Sequence, residues 1–356
     1  MPRHRPNREL RRWLLIGLIG PVVALNVALV IVVANFFQHL LTMVLVAAIL
    51  AFLLNYVVRM FKRFGMRHNA AVILVFLLTV ALFVVLGITL VPNLINQITQ
   101  FTGRLPEWLN AGQKNLEFLD GWARARNLNL DIGRIIANVN GQIERQIESI
   151  AKTSVSIALG TVSTLIDSMI MVVLAFYMLL YGDRLWRGLL RLFPTEFSVP
   201  FNQALHLNFH KFLISQFLLA LFMTVTLTPI FLIMKVPFAL LFTLFIGVCE
   251  LIPLIGAALG IGIVTLLLLV QNPQMALWVG IICLVLQQVR DNGIAPKLMG
   301  DFTGLNPIWI FVVLLLGLQV GGVLGAFIAV PIAGTINSTI EAMTEPKSEL
   351  PPVSIL

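Results

Sequence analysis

A single carboxylate interrupts the longest uncharged stretch of this chain. Between Val236 and Val289 the only charged residue is Glu250, in the run Gly247-Val248-Cys249-Glu250-Leu251-Ile252-Pro253-Leu254-Ile255-Gly256. A charge at bilayer depth costs at least about 2.5–3.5 kcal/mol, so such residues face a polar cavity or a partner. Pro253 removes a backbone donor and clashes with the preceding turn, which frees carbonyls beside the same charge. Broken backbone at that depth is tolerated only where protein buries it or water reaches it. The chemistry on offer is the holding of an ion, a proton or a polar solute. Apolar surroundings disfavour the charged form of a carboxylate, which suits Glu250 to proton coupling. The nearest cations, Lys235 and Arg290, are distant from it in sequence.

A second polar group follows at Gln287-Gln288-Val289-Arg290-Asp291-Asn292-Gly293-Ile294-Ala295-Pro296-Lys297. Gln287 and Asn292 supply amide donors and acceptors to a solute path. Asp291, with Arg290, either joins that path or anchors a helix end at the headgroups. Asp167, inside another apolar segment, is either an ion ligand or proton carrier, or a carboxylate paired with a neighbouring helix. His206 and His210 share a helix face but lack a third ligand, so no metal is expected. Phosphate loops, Cys/His ligand sets and nucleophile motifs are not seen, and neither an enzyme nor a cofactor is expected.

The elements that must position these residues are membrane helices. Of 356 residues 59% are hydrophobic and 11% charged, against about 25% charged in soluble domains. The net charge of +8 does not point to nucleic acid, because the basic residues flank apolar spans. Arg3, Arg5, Arg8, Arg11 and Arg12 precede the first span, and Arg59, Lys62, Arg63 and Arg67 separate the second from the third. That pattern predicts a cytoplasmic N-terminus. Cys249 and Cys283 lie in apolar segments and read as packing residues.

Five divisions are expected. Residues 1–91 hold the basic N-terminus and three spans, Trp13–Ala34, Leu40–Val58 and Ala70–Val91. Residues 92–152 form an extramembrane helical segment; its stripe Ile132, Ile136, Val139, Ile143, Ile147 and Ile150 packs on the protein itself, on the membrane surface or on another subunit. Residues 153–206 contain a fourth span, Val155–Tyr181, and an interfacial helix with Arg184, Arg187 and Arg191 on one face. Residues 207–340 form the transport core, with a span at Phe212–Met234, a helix broken at 250–256 and a last span from Ile308 to about Ile336. Residues 341–356 are a polar tail. Thr224, Thr226 and Thr228 are expected to bond back to helix carbonyls. The row Gly317, Gly321, Gly325, and the pair Gly256 and Gly260, read as close helix packing. If 238–270 crosses once, the C-terminus is cytoplasmic; if it re-enters, the tail lies outside. The fold class is thus an all-α polytopic membrane protein with about seven or eight transmembrane or re-entrant segments.

Four stretches together resemble the autoinducer-2 exporter family of bacterial inner-membrane permeases. They are Glu250-Leu251-Ile252-Pro253-Leu254-Ile255-Gly256, Asn292-Gly293-Ile294-Ala295-Pro296-Lys297-Leu298-Met299-Gly300, Gly304-Leu305-Asn306-Pro307 and Gly325-Ala326-Phe327-Ile328-Ala329-Val330-Pro331. The resemblance implies an oligomeric permease of the bacterial inner membrane. Members are linked to export of a furanosyl signal or to sodium/proton exchange.

Two functions follow from this reading. One is a secondary transporter of a small polar solute or cation, with Glu250 and Pro253 in the path and Gln287, Asp291, Asn292 and Asp167 as further candidates. The other is a non-transporting scaffold that recruits partners through residues 93–152. The lipid bilayer, a small solute or cation and further copies of the chain are the expected partners.

Overall fold

The computed structural model describes residues 35–125, 166–299 and 306–344, with isolated positions between 22 and 33. Most of the expected first span, the isoleucine stripe, the start of the fourth span and the residues after 344 lie outside the described residues. Among the described residues the regular structure is entirely helical, as expected. Among the described residues five helices are, by length and composition, long and apolar enough to cross a membrane.

Helix α1, Gln38–Arg63, ends in Lys62 and Arg63, cations that suit both a helix C-terminus and a cytoplasmic boundary. Gly65, at φ 89°, turns the chain into α2, His68–Ala125. This helix passes through Pro92 and Pro106 without ending. The expected boundary at 91/92 is therefore no break in secondary structure. At about 1.5 Å per residue its 58 residues outrun a core of about 30 Å. Helix α3, Ile166–Leu190, continues through Arg184 and Arg187, so the arginine face extends a long helix instead of forming a separate one. Trp186 Nε1 donates to Asn202 Oδ1 at 2.7 Å, tying α3 to the start of α4, Thr195–Ile233.

Helix α4 organises everything after it. Beyond its end, α5 (Ala239–Cys249) and α6 (Gly256–Gln271) are separated by the turn 250–255. Their 11 and 16 residues make rods of about 16 and 24 Å, too short for a core of about 30 Å. The rods fold back on each other. A Cβ on Gly260 would lie 3.1 Å from Ile246 Cα and 3.0 Å from Cys249 Cβ, whereas a straight helix would separate residues 246 and 260 by about 21 Å. Gly256 meets the Cys249 carbonyl so closely that no Cβ fits. Leu254 takes φ 67°, a left-handed conformation unfavourable to a branched side chain. Asn272 then caps α7, Pro273–Val289, its side chain accepting from Met275 N at 3.0 Å. A π-helical turn, Arg290–Ile294, and α8, Ala295–Met299, follow.

The last helix, α9 (Pro307–Thr344), departs from the expected single span. Gly321 and Gly322 have non-helical dihedrals, Gly322 at φ 60°, ψ −148°, a region open essentially to glycine alone. The two arms close on each other: a Cβ on Gly317 would sit 2.6 Å from Ala329 Cβ, and one on Gly325 would strike the Gly317 carbonyl. Gly317 and Gly325 are thus packing glycines within one hairpin. Gly321 is not one of them; it lies in the turn, where an added Cβ meets nothing within 4 Å.

Both hairpins run antiparallel to parts of α4, from its opposite ends. Thr228 Oγ1 bonds Thr243 Oγ1 at 3.0 Å, Gly247 abuts Thr224, and the tip at Glu250 reaches Gln216. From the other end, Asn208 Nδ2 donates to Ser338 Oγ at 3.2 Å, and Phe212 packs on Phe327 with ring centroids 5.6 Å apart. There the tip of the first hairpin reaches the arms of the second: Leu251 and Ile252 pack on the cluster that includes Phe212, Leu213, Leu314 and Ala326. Thr224 and Thr228 do bond back, to the Ala220 and Thr224 carbonyls.

Candidate functional site

Glu250 stands where the two hairpins meet. Its helix ends because Pro253 can supply no N–H to the ladder, and the chain turns through Leu254 into Gly256. This brings the Glu250 side chain inside; it is 1% exposed. Folding α7 back along α6 then returns Arg290 to the same level. Its Nη2 lies 3.5 Å from Glu250 Oε2, and its Nη1 lies 2.8 Å from Asp291 Oδ1. The cation that seemed distant in sequence is therefore the partner of Glu250 in space. Gln287 Nε2 donates to Asp291 Oδ2 at 3.2 Å. From α4, the fully buried Gln216 donates Nε2 to the Glu250 carbonyl, and Ser215 Oγ donates to the Leu298 carbonyl at 2.9 Å.

The network runs Gln216, Glu250, Arg290, Asp291, Gln287. It remains incomplete at four buried atoms. Among the described residues, Glu250 Oε1, Gln216 Oε1, Gln287 Oε1 and Arg290 Nε have no hydrogen-bond partner. A buried polar group left unpaired costs about 1–3 kcal/mol, more if charged. Three unmet acceptors against one unmet donor favour a guest that carries positive charge or several donors.

The remaining sequence candidates are distributed around this centre. Pro253 shapes the turn. Asn292 is near in sequence but exposed, its Nδ2 bonded to Gln288 Oε1 at 2.8 Å. Asp291 is half exposed. Asp167 is not brought to the site: on α3 it lies 3.8 Å from His39 Nε2 of α1, with both side chains accessible. His206 and His210 pack beside Phe52 and Tyr56. Among the described residues no group of three His, Cys, Asp or Glu side chains is close enough to hold a metal ion.

Gln216 escaped the sequence reading. Its signal is the one that exposed Glu250, a polar side chain inside an apolar run. A second polar feature also escaped it: a pocket of about 390 Å³ lined by Asn93, Asn96, Gln97, Gln100 and Arg104 of α2 with Pro237 and Phe238. Gln97 Oε1 there accepts from Leu241 N at 3.0 Å, satisfying one of the free donors at the start of α5.

Comparison with known proteins bears on what such a site does. Residues 21–345 match the family described as AI-2E family transporter. The chain is 36% identical, over 96% of its length and 87% of the relative's, to a Synechocystis sp. protein named "Putative transport protein sll0063". A second Synechocystis protein of the same naming, sll0060, is 31% identical over 93% of this chain and 96% of its own. The sodium-lithium/proton antiporter of Halobacillus andaensis is 26% identical over 93% of this chain and 96% of its own.

Proposed function

The chain belongs to the AI-2E transporter family, a membrane transporter and not an enzyme by its relatives' names, and from that premise we propose that it moves a small cation through the Glu250 site in exchange for protons. One observation carries this reading: a buried carboxylate with an oxygen unpaired among the described residues, at the turn where the first hairpin meets the arms of the second. Neighbouring unmet acceptors on Gln216 and Gln287 support a cationic guest, and an antiporter among the relatives adds weight. A second reading, export of a small polar solute of the autoinducer-2 kind, rests on the family description and on the same acceptors receiving hydroxyl donors. Scaffolding through residues 93–152 gives no role to the unpaired atoms.

The protein sits in a bacterial inner membrane as a homo-oligomer, with the Arg3–Arg12 stretch cytoplasmic. Hairpin α5–α6 re-enters from outside and the α9 hairpin from inside. The α5 and α6 arms of about 16 and 24 Å support re-entry of the first hairpin, the non-helical Gly321–Gly322 turn supports that of the second, and the Lys62–Arg63 helix end supports the orientation. Lipid covers the exposed apolar side chains of α2 such as Leu82, Phe83 and Ile88.

Proteoliposomes enclosing a pH dye provide the test. With an acid interior, external sodium or lithium is expected to raise internal pH, while choline does not. No ion-dependent change, alongside uptake of a neutral polyol probe, would favour the solute reading; no flux of either would favour the scaffold.

A further inference from the structure

The contact between Glu250 and Arg290 is incomplete for an ion pair. Charge-assisted bonds of this type run about 2.7–2.9 Å, whereas Arg290 Nη2 stands 3.5 Å from Glu250 Oε2 and the other carboxylate oxygen has no partner among the described residues. Arg290 gives its short contact, 2.8 Å, to Asp291. The guanidinium is 12% exposed and Asp291 46%, so a fully formed alternative position lies toward the more open carboxylate. Arg290 also begins the π-helical turn 290–294, a distortion frequent at functional sites.

The orphan atoms around the pair identify what displaces the guanidinium. Gln216 Nε2 is committed to the Glu250 carbonyl and Gln287 Nε2 to Asp291. Those bonds fix both amide orientations, leaving each Oε1 as the unmet atom. With Glu250 Oε1 the network holds three unmet oxygen acceptors, the donor chemistry preferred by hard cations. One carboxylate with neutral oxygens balances a single positive charge.

We propose that Arg290 is a tethered counter-cation. It neutralises Glu250 while the site is empty, and the transported alkali-metal cation displaces it onto Asp291. The proposal rests on the reading of Glu250 as the transport site and adds the residue that competes for it. Arg290 therefore weakens cation binding and promotes release.

Equilibrium binding of radioactive sodium to the purified full chain tests this. Arg290→Gln is expected to bind sodium at least about tenfold more tightly than the wild type, the shift given by loss of a close competing charge pair. Arg290→Lys, which keeps the charge, is expected to stay near the wild type, and Glu250→Gln to bind none. Loss of binding in Glu250→Gln with no tightening in Arg290→Gln would overturn the counter-cation role and leave the Glu250 site standing. Unchanged binding in Glu250→Gln would remove the site itself. Should Arg290→Gln fail to fold, phenylglyoxal modification of wild-type Arg290, read by peptide mass spectrometry, decides. Sodium is expected to raise it over choline, and equal modification in both salts would refute displacement.

Discussion

At the scale of residues, two physical rules select the site and a third fills in its partners. A carboxylate in an apolar run needs a partner or a cavity, and a proline nearby breaks the ladder; both were legible in the sequence as Glu250 and Pro253. The pairing with Arg290 was not, because it requires α6 and α7 to fold back across the 39 intervening positions. Gln216 was legible in principle, as a buried amide amid Phe212, Leu213 and Leu219. Gly256 and Gly260 are packing residues, but within the hairpin they close. That assignment makes Gly256→Ala a specific test. The new Cβ meets the backbone carbonyl of Cys249, which cannot yield as a flexible side chain would, so a loss of about 1–3 kcal/mol is expected. Gly262→Ala, with open space around it, is expected to lose none of this. Thermal unfolding of the two detergent-purified variants makes the comparison.

The helices illustrate how one spacing can serve two geometries. Gly317, Gly321 and Gly325 at intervals of four suit a groove for a neighbouring helix. In the structure the middle member becomes the turn and the outer two face each other. The informative signal was the Gly321-Gly322 dipeptide, since paired glycines mark turns and Gly322 takes dihedrals that other residues avoid. The break at Glu250–Gly256, by contrast, was legible because proline and a charge coincide. Helix α5 begins after Phe238 in a left-handed conformation, with no cap from its own N-cap side chain; Gln97 of α2 satisfies Leu241 N instead. Gln97→Ala is therefore expected to loosen the first turn of α5 by about 0.5–2 kcal/mol, the range of a lost cap. Faster amide hydrogen exchange confined to residues 239–243 is the readout; unchanged protection there would show that Gln97 is not the cap.

For the whole molecule, composition and charge placement sufficed for the all-helical membrane class, while the count of crossings depended on folds within single apolar stretches. The alternatives weighed for 238–270 assumed that 308–336 crosses the bilayer. If both hairpins re-enter instead of crossing, residue 344 lies on the same side as Arg63. Single cysteines at Asn272 and Thr344, in a background with Cys249 and Cys283 replaced, test this in intact cells. A membrane-impermeant maleimide is expected to label Asn272→Cys from outside, and Thr344→Cys only after permeabilisation. Labelling of both from outside would contradict the two-hairpin topology.

Transport through the buried carboxylate is tested most directly at Glu250 itself. Glu250→Gln keeps the size and an acceptor oxygen while removing the charge, so it tests the chemistry with little change of shape. In reconstituted vesicles, the variant is expected to lose sodium- and lithium-dependent proton movement while Asp167→Asn, remote from the site, retains it. Full, pH-dependent flux through Glu250→Gln would contradict the account.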